Sequence, residues 1–129
     1  MGASKAQIKW LKSLPEYQEM VDTLGEYDDS VDYVGADGDW KSRFIPRTLW
    51  GVDINVCAYI HDFWYYMGGG LTDRFKADGM FLVDMLRWIE AVEDRWYMYG
   101  FNWGRRGLAR RRALKYFEAV RSHGEGAFG

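Results

Sequence analysis

The spacing of apolar residues predicts two short helices at the start of the chain, over residues 4–13 and 15–24. Pro15 interrupts the pattern between them and suits the first turn of the second helix, where its missing backbone N–H has no helical partner to lose. Gly25 is expected to end that second helix. Residues 1–25 are therefore predicted to form an N-terminal helical region.

Residues 26–52 show no helical period, so we expect a long irregular loop with a short strand over residues 31–34. The first half of this loop is acidic and contains no basic residue. Its carboxylates are Glu26, Asp28, Asp29, Asp32, Asp37 and Asp39. Such a cluster indicates a metal ion or a basic partner, with a solvated acidic face as the alternative. Long ordered loops in compact domains often serve a function.

Residues 53–93 carry the most regular apolar pattern, which predicts a central helical hairpin. Four residues of its first helix share one face, at steps of four, three and four: Ile54, Ala58, His61 and Tyr65. Glycines 68–70 are expected to end this helix. The second helix presents one apolar face, formed by Phe81, Leu82, Met85, Leu86 and Ile89. Asp78 lies on that same face, one turn earlier.

The glycine turn sets the expected register of the hairpin. Thr72 is predicted to cap the second helix, and Asp73 suits its first turn because a carboxylate is favourable at a helix N-terminus. His61 and Asp78 are about equally far from the centre of the turn. If the two helices run antiparallel, these two side chains come level with each other.

Residues 94–124 combine an aromatic segment, 96–103, with a basic helix expected at about 107–122. Residues 105–115 carry six bases and no acid: Arg105, Arg106, Arg110, Arg111, Arg112 and Lys115. Aromatic and basic neighbours of this kind can dock on an anionic membrane surface. The alternative is a core-packing segment followed by a solvated helix. A specific nucleic-acid partner is not expected, because no recognised binding module is present.

Composition agrees with one folded domain of the mostly α class. The chain has 129 residues, of which 18% are aromatic, which is unlike a disordered tail. Cys57 is the only cysteine, so no intramolecular disulfide forms and a reducing compartment is favoured. We expect Cys57 to be a small core residue rather than a nucleophile. The N-terminus lacks the apolar segment of a secretory signal, and no apolar run reaches the length of a membrane span.

The candidate chemistry centres on His61, one of only two histidines. An unpaired buried carboxylate costs several kcal/mol, and pairing Asp78 with His61 would remove that cost. The pair would also orient the imidazole and stabilise its protonated form, as a general base requires. Tyr65, one turn after His61, is expected to hydrogen-bond Asp78. The alternative interpretation is a buried structural pair.

Asp62 is the candidate metal ligand of the first helix. It lies about 100° around the helix from His61 and is predicted to bind an ion there. The acidic loop over residues 33–39 offers carbonyls at glycine turns together with carboxylates, which suits Ca²⁺. Zinc is disfavoured because thiol and imidazole groups are nearly absent. The loop does not have the ligand spacing of an EF-hand.

The segment 57–81 resembles the catalytic core of phospholipase A2 enzymes. That family has a cysteine, three residues, His-Asp, a tyrosine four after the histidine, and an aspartate on the facing antiparallel helix. The corresponding residues here are Cys57, His61, Asp62, Tyr65 and Asp78. The short hairpin is most similar to the compact phospholipase domain of parvovirus capsids. Upstream, residues 33–38 resemble the family's Tyr-x-Gly-x-Gly calcium loop with one extra residue.

This resemblance implies a phospholipase A2-like core and a mechanism. The implied catalytic residues are His61, Asp78 and Tyr65, and the implied ligands of Ca²⁺ are Asp62 and carbonyls near Tyr33, Gly35 and Gly38. His61 would take a proton from water, Asp78 would steady the imidazolium, and Ca²⁺ would polarise the ester carbonyl. The implied substrate and partner are a phospholipid ester and a membrane surface.

A longer stretch, residues 44–124, resembles an uncharacterised family of bacteria and phages that shares the His-Asp hairpin. The matching residues are Phe44, Ile45, Pro46, Arg47, His61, Asp62, Arg74, Ala77, Asp78, Phe81, Tyr116, Val120, Arg121 and Gly124. No activity is attached to that family. It supports an alternative in which the hairpin is a non-catalytic scaffold with a protein partner in a phage particle. The absent family disulfides suit a cytoplasmic or phage-associated protein, of undetermined oligomeric state.

Two other hydrolase classes fit less well. A His-Asp phosphohydrolase needs further metal-binding histidines, and only His123 remains, near the end of the chain. Asp84 alone does not replace those ligands. A Ser-His-Asp hydrolase is disfavoured because the Gly-x-Ser-x-Gly elbow is missing.

Overall fold

The computed structural model describes residues 2–34, 48–49, 52–91 and 99–123, and this part of the chain is mostly α-helical. Its helices are α1 (Lys5–Ser13), α2 (Tyr17–Leu24), α3 (Asn55–Met67), α4 (Leu71–Glu90) and α5 (Tyr99–His123). Two short strands, β1 (Thr48–Leu49) and β2 (Val52–Asp53), pair antiparallel. The predicted mostly α class is confirmed. No helix within the described ranges has the length and apolarity needed to cross a bilayer.

Both predicted N-terminal helices are present, but α2 begins at Tyr17, so Pro15 lies before the helix rather than in its first turn. The Ser4 side chain caps α1 by accepting a hydrogen bond from the Gln7 backbone N–H at 3.1 Å. Helix α2 ends at Gly25, which adopts a positive φ of 84° that a residue with a Cβ atom rarely takes.

The strand predicted over residues 31–34 is wrong. The Val31 N–H donates to the Asp28 carbonyl at 2.9 Å, and the Val34 N–H donates to the Asp32 carboxylate at 3.0 Å. These local bonds turn the backbone and replace the ladder that a strand would need. Helix α3 also begins at Asn55 rather than at residue 53, because Asp53 belongs to β2.

The hairpin turn follows the glycines. Gly68 and Gly69 have φ values of 67° and 120°, and a Cβ on Gly69 would meet the Asp73 carboxylate. Thr72 does not cap α4, contrary to the sequence prediction. The helix begins one residue earlier, and the Asp73 carboxylate accepts the Gly70 N–H at 2.9 Å.

The bounds of the last two helices also differ from the prediction. Helix α4 ends at Glu90 rather than near residue 93, and α5 begins at Tyr99 rather than near residue 107. Helix α5 therefore includes part of the aromatic segment. Residues 96–98 of that segment lie outside the described residues.

Helix α3 is the centre of the fold because apolar clusters lie on both sides of it. On the side of α1 and α2 the buried side chains are Leu11, Met20, Val56, Tyr59, Ile60 and Phe63. On the side of α4 and α5 they include Ala58, Tyr65, Phe81, Met85, Ala113 and Tyr116. Burying each large apolar side chain contributes about 1.5–3 kcal/mol. This packing holds His61 rigidly where α3, α4 and α5 meet.

Candidate active site

The structure places His61 of α3 directly against Asp78 of α4. The His61 Nε2 and Asp78 Oδ1 atoms are 3.1 Å apart. Both residues are buried, with exposed fractions of 4% and 0%. The predicted contact between these two side chains is confirmed, and the level register of the hairpin produces it. Their catalytic role remains a prediction.

Tyr65 completes a three-residue arrangement around the same carboxylate oxygen. Its hydroxyl donates to Asp78 Oδ1 at 2.5 Å, as the sequence predicts. Burial raises the pKa of Tyr65, and its hydrogen bond to Asp78 raises that pKa further. Tyr65 therefore remains a protonated donor at neutral pH, and Oδ1 receives hydrogen bonds from two side chains of α3.

Aromatic rings fix the orientation of the imidazole. The ring centroid of His61 lies 4.2 Å from that of Tyr65 and 4.7 Å from that of Phe81, with the Phe81 ring stacked at 28°. Since Nε2 faces the Asp78 carboxylate, the neutral tautomer with a hydrogen on Nε2 is favoured. That tautomer leaves the lone pair on Nδ1, which is the atom available to take a proton.

The second oxygen of Asp78 faces the C-terminal helix. Arg121 of α5 places its Nε 3.9 Å from Asp78 Oδ2. The Arg121 guanidinium lies over the rings of Phe75 and Phe117, at 4.4 Å and 4.7 Å from their centroids. Arg74 of α4, itself buried, donates a hydrogen bond to the Arg121 carbonyl. The carboxylate is thus enclosed by side chains from three helices.

Sequence reasoning assigned no chemical role to Arg74 or Arg121, although both belong to the stretch that resembles the bacterial and phage family. One signal was available for Arg74, which precedes Asp78 by one helical turn and so shares its face. No local spacing indicates Arg121, because its approach depends on how α5 packs on α4.

The predicted metal residues are described only in part. Gly35 and Gly38 lie outside the described residues. Tyr33 lies at the start of the loop, where its N–H donates to the Asn55 side chain at 2.8 Å. Asp62 is half-buried on α3. Within the described ranges, no cluster of three or more histidine, cysteine or acidic residues is arranged to hold a metal ion.

The loop reaches α3 on the face that carries Asp62. Tyr33 contacts Asn55 through its backbone and Tyr59 through its ring, with centroids 5.1 Å apart. Asn55, Tyr59 and Asp62 follow one another at steps of four and three, which places them on one stripe of the helix. The described start of the loop therefore contacts the stripe of α3 that also carries Asp62, and Val34 then packs into the apolar cluster on the α4 and α5 side.

Two further ionisable groups lie outside this arrangement. Cys57 is buried, as predicted, and burial raises its pKa well above the ordinary value, so it remains a neutral thiol. Burial also raises the pKa of Asp84 on α4 to about 6, although Arg87 partly opposes the shift. Sequence reasoning considered Asp84 only as a metal ligand and did not predict this burial.

A cavity of about 380 Å³ opens beside the hairpin turn. Its apolar lining comes from Trp64, Met67, Ala77 and Met80. Glu16, Asp73 and Lys76 add charged groups to the lining, and Met67, which is half exposed, connects the cavity with the apolar surface at the turn. The cavity is large enough to take part of an apolar chain.

Comparison with known proteins gives no match of any kind. No family model fits the sequence, no curated protein matches it, and no solved structure matches the chain.

Proposed function

We propose that this protein hydrolyses a carboxylic ester of a phospholipid, with His61 as the general base and Asp78 as its support. The observation that carries the proposal is the contact of His61 Nε2 with a fully buried carboxylate oxygen that Tyr65 also donates to. A histidine oriented in this way by an acidic partner is a general arrangement for removing a proton from a nucleophile.

The proposed chemistry begins at Nδ1 of His61, the ring nitrogen that does not face Asp78. A water held at Nδ1 gives up a proton to the imidazole while its oxygen attacks the ester carbonyl carbon. The imidazolium that forms is stabilised by the adjacent Asp78 carboxylate. When the bond to the leaving alcohol breaks, the proton passes to the alcohol oxygen. The products are an alcohol and a carboxylic acid, and His61 is neutral again.

Calcium would be held at Asp62 in this reaction. The residues that would hold it are Asp62 and main-chain carbonyls of the loop that starts at Tyr33, including those of Gly35 and Gly38. When bound, the ion supplies positive charge where the ester oxygen becomes negative. One observation supports this part of the proposal: the described start of the loop contacts the stripe of α3 that also carries Asp62.

The end of the helical hairpin, around the glycine turn between α3 and α4, suits contact with a lipid surface. Large apolar side chains are exposed around the turn: Tyr66, Met67, Leu71 and Phe75. Tyr66 and Leu71 expose 68% and 61% of their surfaces, which is a high cost in water unless another apolar phase covers them. Lys76 lies beside them and would face lipid phosphates. This surface differs from residues 96–103 and the basic helix, which the sequence proposes for the same role.

The experiment that tests the proposal is fatty-acid release from mixed phospholipid vesicles, with calcium and with a calcium chelator. His61→Gln should abolish release and leave the helix content unchanged by circular dichroism. His123→Gln is the matched control, because it removes the other histidine, and it should retain release. Equal release by wild type and His61→Gln would contradict the proposal.

A non-catalytic scaffold is the second candidate function, and the burial of the dyad favours it. His61 and Asp78 are almost inaccessible, as expected of a pair that only stabilises the hairpin. In that case the partner would be a protein, for example in a phage particle. Absence of hydrolysis in wild type, together with strong destabilisation by Asp78→Ala, would favour this candidate.

A further inference from the structure

We infer that Arg121 on α5 is a positioning residue for the His61–Asp78 pair: it holds the Asp78 carboxylate turned so that Oδ1 faces His61. The inference rests on the proposed function, since it concerns the same site. Arg121 itself touches no reacting atom. It acts on the imidazole only through the carboxylate.

The first observation concerns the contacts of Asp78 Oδ2, the carboxylate oxygen that does not face His61. Asp78 Oδ2 is buried and has no hydrogen-bond partner among the described residues. The Nε of Arg121, also buried and without a hydrogen bond in the described part of the chain, lies 3.9 Å away. At that separation the two groups interact as opposite charges rather than through a hydrogen bond. The arginine thus compensates a charge that burial would otherwise disfavour.

The second observation is how firmly the guanidinium is held. The rings of Phe75 on α4 and Phe117 on α5 both contact it, and cations are attracted to the faces of such rings. Arg74 donates to the Arg121 carbonyl and also hydrogen-bonds the Tyr65 hydroxyl. Arg121 is therefore tied to the same tyrosine that supports Asp78.

These contacts determine how the Asp78 carboxylate is oriented toward His61. Oδ1 accepts hydrogen bonds from both His61 and Tyr65 only while the carboxylate is oriented toward α3. The position of the Arg121 guanidinium at Oδ2 opposes rotation of the carboxylate out of that orientation. The imidazole consequently keeps its hydrogen on Nε2 and its lone pair on Nδ1. Helix α5 would then belong to the catalytic apparatus although it carries none of the reacting groups.

Arg121→Ala tests this inference because it leaves a slot between Phe75 and Phe117. We expect kcat to fall about 10- to 100-fold, as for other residues that orient a catalytic group, with little change in KM. Millimolar guanidinium chloride, which can occupy the slot, should restore part of the lost kcat. Arg121→Lys should retain more activity than Arg121→Ala. Glu118→Ala removes an exposed charged side chain of the same helix and should leave kcat unchanged.

A second readout does not depend on hydrolysis. The Nε2 proton of His61 should give a far-downfield resonance in the proton NMR spectrum of wild type. Arg121→Ala should lose or broaden this signal, and guanidinium should restore it. Arg121→Gln provides the same comparison if the alanine variant does not fold.

The outcomes separate the two proposals. An Arg121→Ala protein with the wild-type kcat and the wild-type resonance would overturn the positioning role and leave the proposed function standing. A wild type without hydrolysis would overturn the proposed function, while the resonance would still decide whether Arg121 positions the pair. Loss of both signals without any rescue by guanidinium or lysine would also contradict the inference, because a general packing role would suffice.

Discussion

The backbone N–H of Tyr33 donates to the side-chain oxygen of Asn55 at 2.8 Å, joining the start of the long loop to the first turn of α3. The Asn55 amide nitrogen donates in turn to the Val31 carbonyl at 2.7 Å and to the Tyr27 hydroxyl at 3.0 Å. Asn55 is fully buried, so these bonds have no solvent substitute. The Asn55 side chain therefore anchors the first part of the acidic loop, from Tyr27 to Tyr33, against α3.

Replacing Asn55 should lower the free energy of unfolding more than replacing an exposed residue does. Asn55→Ala leaves the Tyr33 N–H and the Val31 carbonyl without their partner, and each unsatisfied buried group costs about 1–3 kcal/mol. We expect the free energy of unfolding in urea to fall by about 2–5 kcal/mol. Gln18→Ala, at an exposed position of α2, is the control and should change it by less than about 0.5 kcal/mol. A loss from Asn55→Ala as small as that of the control would contradict this role.

Tyr65→Phe should separate the stability of the site from its chemistry. The variant removes the 2.5 Å hydrogen bond to Asp78 and keeps the ring contact with His61. A hydrogen bond to a charged group contributes about 1.5–3 kcal/mol, so the free energy of unfolding should fall by about that amount. Hydrolysis should be reduced but not abolished, because His61 retains its own contact with Asp78. Complete loss of hydrolysis at wild-type stability would assign Tyr65 a direct chemical role instead.

Asp78→Asn distinguishes the enzyme from the scaffold. The amide keeps the shape of the carboxylate but loses the charge that stabilises an imidazolium. Because general-base catalysis contributes about 10²- to 10⁴-fold, fatty-acid release should fall within that range. Asp78→Ala also leaves a cavity and His61 unpaired, so it should be the less stable variant in thermal unfolding. Unchanged release by Asp78→Asn would show that the carboxylate charge is not used.

The hairpin and its central contact could be predicted from the sequence because both depend on local spacing. The apolar period of α3 and α4 and the glycines between them determine the register that brings His61 to Asp78. The turn over residues 31–34 could not be predicted in this way. Valine favours a strand there, but neighbouring aspartates satisfy the backbone N–H groups locally and that effect is the stronger one.

The remaining site residues depend on tertiary packing. Arg121 reaches Asp78 only because α5 lies along α4, and no pattern within either helix encodes that alignment. The start of α4 differs from the prediction for a local reason. The Asp73 carboxylate accepts the Gly70 N–H, so the helix starts before Thr72.

The pH dependence of stability should contain a contribution from Asp84, whose pKa is about 6 in the folded protein. The ordinary carboxyl value is 3.8, so the folded state binds the proton more tightly than the unfolded state. Ionising Asp84 therefore costs stability, and this loss develops between about pH 4 and pH 6 and is complete above that range. Asp84→Asn should raise the free energy of unfolding by about 1–3 kcal/mol at pH 7 and change it much less at pH 4.

Urea unfolding at both pH values measures the Asp84 effect. Glu19→Gln, which neutralises an exposed carboxylate on α2, is the control and should have little effect at either pH. An equal gain from Asp84→Asn at pH 4 and pH 7 would contradict the titration and indicate a packing effect.

Binding to lipid vesicles should depend on the hairpin end. Leu71 is 61% exposed at the turn, and inserting a leucine side chain into an apolar phase contributes about 1.5–3 kcal/mol. Leu71→Glu should therefore weaken binding to anionic phospholipid vesicles by about tenfold or more in a sedimentation assay. Val83→Glu is the matched control, since Val83 is similarly exposed on α4 but lies farther along the helix, away from the turn. If both variants weaken binding equally, net charge rather than insertion of the hairpin end controls the interaction. If neither does, the membrane contact lies elsewhere, and the C-terminal aromatic and basic region becomes the surface to test.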